Sequence, residues 1–110
     1  MNKMRFRHMR LFIMFDLPVK TKKDVQNYNK FRRKLLNLGF YMVQLSIYAK
    51  LCINHDEVAK NNEIINKNLP PKGNIRCLTV TEKQYEMMKV LIGTKSYQEE
   101  ITTNKYLIEL

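Results

Sequence analysis

A run of five apolar residues, residues 11–15, is the feature that most limits what this chain can fold into. A basic segment precedes the run, and Asp16 and Pro18 end it. Such a short bounded run is typical of a strand that is buried on both faces. A carboxylate at the end of that strand lies at the rim of the core, where a metal ion, a basic partner or a backbone cap can balance its desolvation. Asp16 is therefore a candidate chemical centre, and a plain strand terminus is the alternative.

The positive charge of the chain is unevenly distributed. The formal net charge of the 110 residues is +10, and residues 1–34 hold eleven Lys and Arg side chains against two acids, so nine of the ten net charges lie there. A chain of this length forms one domain with a single core. Concentrated positive charge on such a domain indicates a polyanionic partner, most commonly nucleic acid. A basic surface that is merely solvated is the alternative.

Membrane, secretory and zinc-binding classes fit the sequence poorly. No apolar run approaches the roughly 20 residues that span a bilayer. The first run has five apolar residues, short of the about 7 to 15 of a secretory signal, so we expect a cytoplasmic chain with no membrane partner. Cys52 and Cys77 belong to no CxxC motif and have no pair of histidines nearby, which indicates reduced core residues rather than a zinc site.

The rest of the chain predicts alternating helices and strands. Thr21 and Asp24 have the spacing of a capping box at a helix start, and Gly39 is a typical helix end. The predicted elements after the first strand are a helix from Thr21 to Gly39, two strands divided near Ser46, a helix after Asn54, a strand over residues 74–81, a helical turn over 81–85 and a strand over 87–92.

That order predicts an α+β fold, the ferredoxin-like split βαβ sandwich (βαββαβ plus a C-terminal strand), in which two helices cover one face of an antiparallel sheet. We assign residues 1–93 to this domain and residues 94–110 to a C-terminal tail, whose last apolar run predicts a further strand. The four-stranded unit has no place for that strand. We therefore expect a homodimer in which the tail strand is exchanged and covers a sheet edge of the partner.

The first predicted helix separates apolar from basic residues. Tyr28, Phe31, Leu35 and Leu38 form an apolar stripe, and most of the basic side chains project from the opposite side, with Arg32 near the apolar edge. Such side chains can contact phosphates, which gives affinity without base readout. A solvated helix face is the alternative. The candidate nucleic-acid-binding residues are Lys20, Lys22, Lys23, Lys30, Arg32 and Arg33.

Several segments, taken in order, resemble a known family. They are Arg10-Leu-Phe-Ile-Met-Phe-Asp16-Leu-Pro18, Lys30-Phe-Arg-Arg-Lys-Leu-Leu, Val43-Gln44, Ser46-Ile47-Tyr48, Lys72-Gly-Asn-Ile and Leu78-Thr-Val-Thr-Glu-Lys-Gln84. Together they are similar to the small CRISPR-associated adaptation protein, the second member of the spacer-acquisition module, and most like members that accompany type II systems. The resemblance runs from Arg10 to Gly93. The chain departs from many members in having Phe15 in place of Tyr and Met42 in place of Arg.

The resemblance implies a homodimer that sits between two dimers of the partner integrase and holds duplex DNA. It also implies a Mg²⁺-dependent endoribonuclease, with Asp16 as the catalytic metal ligand and Tyr48 as an aromatic residue of the site. A nuclease that acts on RNA or DNA is therefore the second hypothesis. Because Mg²⁺ prefers several oxygen ligands, we expect two Asp16 carboxylates to share one ion across a two-fold axis.

Two other proteins share a related sandwich. A ribonuclease toxin of the virulence-associated D type is a third hypothesis, which the type II signatures argue against. An RNA-recognition domain has the same topology, but the aromatic pattern of its RNA-binding strands is missing from this sequence.

Overall fold

The computed structural model describes residues 8–94, which form four strands and three helices. In chain order these are β1 (Met9–Asp16), α1 (Lys22–Asn37), β2 (Tyr41–Gln44), β3 (Ile47–Cys52), α2 (His55–Asn66), β4 (Asn74–Thr81) and α3 (Glu82–Glu86). Among these helices, none is long and apolar enough to cross a membrane. The tail strand that the sequence predicts, and its exchange between protomers, lie outside the described residues.

The four strands form one sheet in the order β2-β3-β1-β4, and every neighbouring pair is antiparallel. β1 lies in the interior of the sheet, where Met9 pairs with Cys52 of β3 on one side and with Thr81 of β4 on the other. The β1–β4 pairing continues to Asp16, which lies opposite Asn74. This strand order is that of the ferredoxin-like sandwich, so the predicted fold class is confirmed.

Local signals at the helix ends fix where α1 and α2 begin. The Thr21 hydroxyl accepts a hydrogen bond from the Asp24 backbone N–H at 3.0 Å, and the Asp24 carboxylate accepts one from the Thr21 N–H at 3.2 Å. The Asn54 side chain accepts from the Glu57 N–H at 2.9 Å. These bonds satisfy backbone donors that have no partner inside the helix. Both predicted helix starts are confirmed, as is the division of the strands near Ser46.

The side chains of β1 alternate between the two faces of the sheet. Leu11, Ile13 and Phe15 face α1 and α2 and contribute to a buried cluster. Phe12 faces the other way and packs with Tyr85 of α3 in a smaller cluster. The helix-side cluster consists of Met9, Leu11, Ile13, Phe15, Leu17, Phe31, Leu35, Phe40, Tyr48, Cys52, Val58 and Ile65. The two long helices therefore cover one face, and the short α3 covers only part of the other.

A buried ion pair holds α3 against that second face. Arg10 of β1 is 0% exposed, and its guanidinium donates two hydrogen bonds of 2.7 Å to the two carboxylate oxygens of Glu82. It also donates to the Tyr41 hydroxyl and lies 4.1 Å from the centre of the Tyr85 ring. Burial by itself lowers the pKa of Arg10, but the hydrogen bonds to Glu82 and the nearby phenols outweigh it and raise the pKa, so the guanidinium stays charged.

The strand predicted over residues 87–92 is wrong. Helix α3 ends at Glu86, with Met87 as its C-cap, and the described residues after it form no strand. Leu91 and Ile92 are 92% and 93% exposed. An apolar run forms a strand only when a neighbouring strand edge pairs with it, and no strand of residues 8–94 pairs with this segment.

The two cysteines are free, as predicted, but they differ in burial. Cys52 belongs to the helix-side cluster, and burial, together with the charge of Glu57, raises the pKa of its thiol to about 11. Cys77 is exposed, so its prediction as a core residue is wrong. It lies on β4, the strand at the edge of the sheet, where few neighbours cover a side chain.

We expect Glu82→Ala to lower the free energy of unfolding by about 3–5 kcal/mol, because it leaves a charged guanidinium buried without its partner. The measurement is urea denaturation at one fixed protein concentration, since assembly would also affect stability. The control is Glu63→Ala, which removes an ion pair to Lys67 in which both side chains are at least 70% exposed, and should cost about 0.5 kcal/mol or less. Equal losses in the two variants would contradict the role of the buried pair.

Candidate active site and nucleic-acid interface

Asp16 is the last residue of β1 and lies on the face of the sheet that α1 and α2 leave uncovered. Because side chains alternate along a strand, the burial of Phe15 on the helix side directs Asp16 to the opposite side. Asp16 is exposed, whereas the residues on either side of it, Phe15 and Leu17, are buried. The carboxylate is therefore available to solvent on a backbone that is fixed by the core.

Aromatic packing fixes the residue before Asp16. The Phe15 ring makes edge contacts with Phe31 and Tyr28, at centroid distances of 5.3 and 5.7 Å, and stacks on Tyr48 at 5.6 Å. Its backbone N–H donates to the carbonyl of Ser46 at 3.0 Å. These contacts connect the end of β1 to α1 and to the turn between β2 and β3, so the Asp16 backbone has little freedom to shift.

The turn before β4 packs directly on the end of β1. Gly73 adopts a positive φ of +105°, and a Cβ atom added there would lie 2.6 Å from Leu17 Cδ2 and 2.8 Å from the Asp16 carbonyl oxygen. Real Cβ atoms do not approach other atoms this closely, so only glycine fits both the backbone conformation and the space. Gly73 thus places the start of β4 against the backbone of the candidate site.

One protomer provides few ligands for a metal ion at Asp16. Within residues 8–94, no group of three or more His, Cys, Asp or Glu side chains is placed to hold a metal. The residue opposite Asp16 is Asn74, whose amide oxygen is a weaker ligand than a carboxylate. A Mg²⁺ ion at Asp16 would therefore take its other ligands from water, from a second copy of the chain or from the phosphates of a bound nucleic acid.

Tyr48, the predicted site aromatic, is 1% exposed and belongs to the helix-side cluster. Its hydroxyl accepts a hydrogen bond from Arg32 Nε at 2.9 Å. The structure does not bring the side chains of Tyr48 and Asp16 to one face of the sheet. Tyr48 stacks on Phe15, the residue that precedes Asp16.

The predicted basic residues lie at the surface, and most of them share one side of α1. All six of these side chains, at positions 20, 22, 23, 30, 32 and 33, are exposed. None takes part in an ion pair of the described residues. The one acid of α1, Asp24, is buried at the helix cap. Lys22, Lys23, Lys30 and Arg33 therefore form a basic surface that makes no ion pair within residues 8–94, whereas Arg32 lies apart from it beside Tyr48.

Two polar residues beside Asp16 were not predicted from the sequence as part of the site. The β1–β4 register pairs Asp16 with Asn74 and Met14 with Arg76, so Asn74 and Arg76 lie on the same face as the carboxylate. The alternation of side chains along β4 is enough to predict that Asn74 and Arg76 share one face of the sheet. Their position beside Asp16 depends on the register between β1 and β4, which the sequence does not show. Arg10 was also missed as a buried residue, since its sequence context resembles that of the exposed basic residues.

The fold and the carboxylate at the end of its first strand define a class, the small ferredoxin-like proteins with an exposed site on the uncovered face of the sheet. A solved structure described as the crystal structure of cas2 has this fold, with a TM-score of 0.57, 13% sequence identity, and coverage of 82% of this chain and 92% of that one.

The model of the family described as CRISPR associated protein Cas2 matches residues 9–88, and the chain belongs to that family. A Treponema denticola protein named CRISPR-associated endoribonuclease Cas2 is 44% identical over 105 residues, which cover 93% of this chain and 100% of the relative. A protein of the same name from Lacticaseibacillus rhamnosus is 46% identical, with coverage of 79% of this chain and 86% of the relative. Another from Campylobacter jejuni is 38% identical, with coverage of 93% of this chain and 73% of the relative.

Replacing Gly73 tests how tightly the turn before β4 packs on the site. We expect Gly73→Ala to lower the free energy of unfolding by about 2 kcal/mol or more, because the added Cβ combines steric overlap with backbone strain. The measurement is urea denaturation, with amide exchange to locate the change at the end of β1.

The control is Gly93→Ala, since Gly93 also has a positive φ, +98°, but its added Cβ would meet nothing within 4 Å. This variant should show the backbone strain alone, of about 1 kcal/mol. Equal losses at Gly73 and Gly93 would show that close packing on Asp16 contributes nothing.

Proposed function

We propose that the protein acts in CRISPR adaptation as a homodimer that binds duplex DNA and bridges two dimers of the partner integrase. Membership of the Cas2 family supports the adaptation role. The observation that carries the DNA-binding part is the basic surface of α1, defined by Lys22, Lys23, Lys30 and Arg33, which makes no ion pair within residues 8–94. Cations that are not held in an ion pair are free to replace the counterions of a phosphate backbone.

The dimensions of this surface suit a phosphate backbone. From position 22 to position 33 a helix rises about 16 Å, which corresponds to about five base pairs at 3.4 Å each. The flexible side chains can contact successive phosphates of one strand across that length. Because these contacts do not read base edges, binding should depend strongly on salt and little on sequence.

Neutralising the basic surface should weaken DNA binding in a salt-dependent way. We expect Lys30→Gln/Arg33→Gln to reduce the slope of log affinity against log salt by about 0.9 for each phosphate that the variant no longer neutralises. The measurement is fluorescence anisotropy of a short labelled DNA duplex over a range of NaCl concentrations.

A matched control removes the same charge elsewhere. Lys60 and Lys67, at the exposed side of α2 and its C-terminal end, can be changed together in Lys60→Gln/Lys67→Gln. If this control lowers the salt slope as much as the α1 variant does, the effect comes from net charge and α1 is not the DNA-binding surface.

The uncovered face of the sheet supports the homodimer. Its centre is apolar and forms a shallow hollow of about 280 Å³ beside α3. Leu78 in this hollow is 52% exposed, and a large apolar side chain gains free energy when a second surface covers it. We propose that a second copy packs on this face. The residues that line the hollow are Phe12, Met14, Val43, Gln44, Ile47, Leu78, Val80, Gln84, Tyr85 and Met88.

A Mg²⁺-dependent nuclease is the second candidate function, and the position of Asp16 favours it. Asp16 lies on the same face as the apolar hollow, two residues beyond Met14, so a two-fold axis through that face can bring two Asp16 carboxylates together. The pair would then hold one ion, which supplies a polarised water and neutralises phosphate charge. The proposed substrates are RNA and DNA phosphodiesters.

Replacing Asp16 separates the two functions. We expect Asp16→Asn to abolish Mg²⁺-dependent cleavage of labelled RNA and duplex DNA but to leave the dimer and spacer acquisition with the partner integrase intact, because the bridge needs no carboxylate at that position. The control is Asp56→Asn, which changes an exposed acid on α2. Loss of acquisition by a folded Asp16→Asn dimer would instead show that catalysis is required, and cleavage unchanged from wild type would exclude Asp16 as the metal ligand.

A further inference from the structure

We propose that Arg76 binds a backbone phosphate beside Asp16 and so positions the bound nucleic acid at the candidate site. The inference rests on the proposed function, since it requires that duplex DNA reaches the end of β1. It adds a residue of β4 to the contacts expected from α1 and from the segment that leads to it. The ligand is the phosphodiester group of a nucleic acid, whose oxygens suit the planar guanidinium.

The register of the sheet places Arg76 close to Asp16. Arg76 pairs with Met14, and Asn74 pairs with Asp16, so Arg76 is the diagonal neighbour of Asp16 across the two strands. Diagonal neighbours on one face lie about 7–8 Å apart at their backbones. Both side chains are exposed, and the ion pairs of the described residues include neither of them. In a single protomer, a phosphate group can therefore approach both residues.

Arg76 forms no ion pair within residues 8–94. Its neighbours on this face are the apolar Met14 opposite and Leu78 next along the strand, with Asn74 on the other side and Asp16 on the diagonal. A guanidinium that is not paired with a carboxylate keeps its donors available for a phosphate. Arg76 is thus a cation that lies close to the Asp16 carboxylate on the uncovered face of the sheet.

The same end of the sheet brings α1 and β4 together. Leu17, Asp24 and Tyr28 line one small crevice with Pro71 and Lys72, so the start of α1 contacts the turn that leads to β4. Lys20 and Lys22 follow Asp16 in the chain, and Lys72 belongs to the turn that packs on the end of β1. Basic residues therefore flank this end of the sheet, and Arg76 lies on the face that α1 leaves uncovered.

The test compares duplex binding by wild type, Arg76→Gln and Arg76→Lys in EDTA, with a short fluorescein-labelled DNA duplex over a range of NaCl concentrations. We expect Arg76→Gln to bind severalfold more weakly and to reduce the salt slope by about 0.9, the value for one phosphate that is no longer neutralised. Arg76→Lys should keep the slope but bind more weakly than wild type, since lysine cannot make the bidentate contact. The control, Lys60→Gln, removes one exposed cation of α2 and should change neither quantity.

A double-mutant cycle with Asp16→Asn distinguishes phosphate binding from a general effect of charge. Without metal, the Asp16 carboxylate repels a phosphate held beside it, so Asp16→Asn should strengthen binding when Arg76 is present and have little effect in Arg76→Gln. Additive effects of the two changes would overturn the proposal. The proposal also fails if Arg76→Gln behaves like Lys60→Gln while the α1 variant still reduces the salt slope, a result that leaves the proposed function intact.

Arg76 could instead pair with Asp16 of a second copy, and sedimentation measures that possibility directly. In that case Arg76→Gln would weaken the dimer, and duplex binding by the dimer at saturating protein would keep its wild-type slope. This outcome would overturn phosphate binding by Arg76. Absence of salt-dependent duplex binding by the wild-type protein would overturn the proposed function and this inference together.

Discussion

The buried ion pair between Arg10 and Glu82 determines how the second face of the sheet is used. On the helix side, β1 fills the core with apolar side chains, but on the other side it places a guanidinium that must have a partner when buried. Glu82, the first residue of α3, supplies that partner. A buried ion pair gains little net free energy over apolar packing, but any arrangement that separates its partners leaves an uncompensated buried charge. The pair therefore holds α3 over one end of the face and leaves the other end open.

Asp16 lies at that open end. The same alternation of side chains along β1 determines which residues reach the second face at both ends of the strand. The pleat that directs Arg10 to α3 also directs Phe12, Met14 and Asp16 to the uncovered face. Phe15 and the Gly73 turn fix the backbone at this end. The exposed carboxylate is thus held by packing on the helix side and at the turn, so the site is rigid without being buried. This arrangement suits a residue that meets its ligands on a second molecule.

The sequence predicted the elements whose causes are local. The capping box of Thr21 and Asp24 depends on residues that are close in the chain, as does the division of the strands near Ser46. The structure confirms both predictions. The errors involve residues whose state depends on distant neighbours. Residues 87–92 have the apolar composition of a strand, but no strand of the described residues pairs with them. Cys77 lies in a strand-like segment of the sequence, but that strand is at the edge of the sheet and the side chain is exposed. Arg76 could not be assigned to the Asp16 site, because its place follows from the register of two strands that are far apart in the chain.

In the proposed complex with DNA, the Asp16 carboxylate raises an electrostatic problem, which the proposed contacts would offset. Asp16 repels phosphate, and in a homodimer that brings two copies together the repulsion would include the second carboxylate. Cations at this end can offset it in two ways: Arg76 and the lysines near position 20 act on the phosphate, and Mg²⁺ between two carboxylates acts on the acids themselves. Mg²⁺ held by two carboxylates would cancel their charge and so remove the repulsion. The proposed binding through α1 would persist with or without the metal, so DNA binding and cleavage would be separable on one small domain.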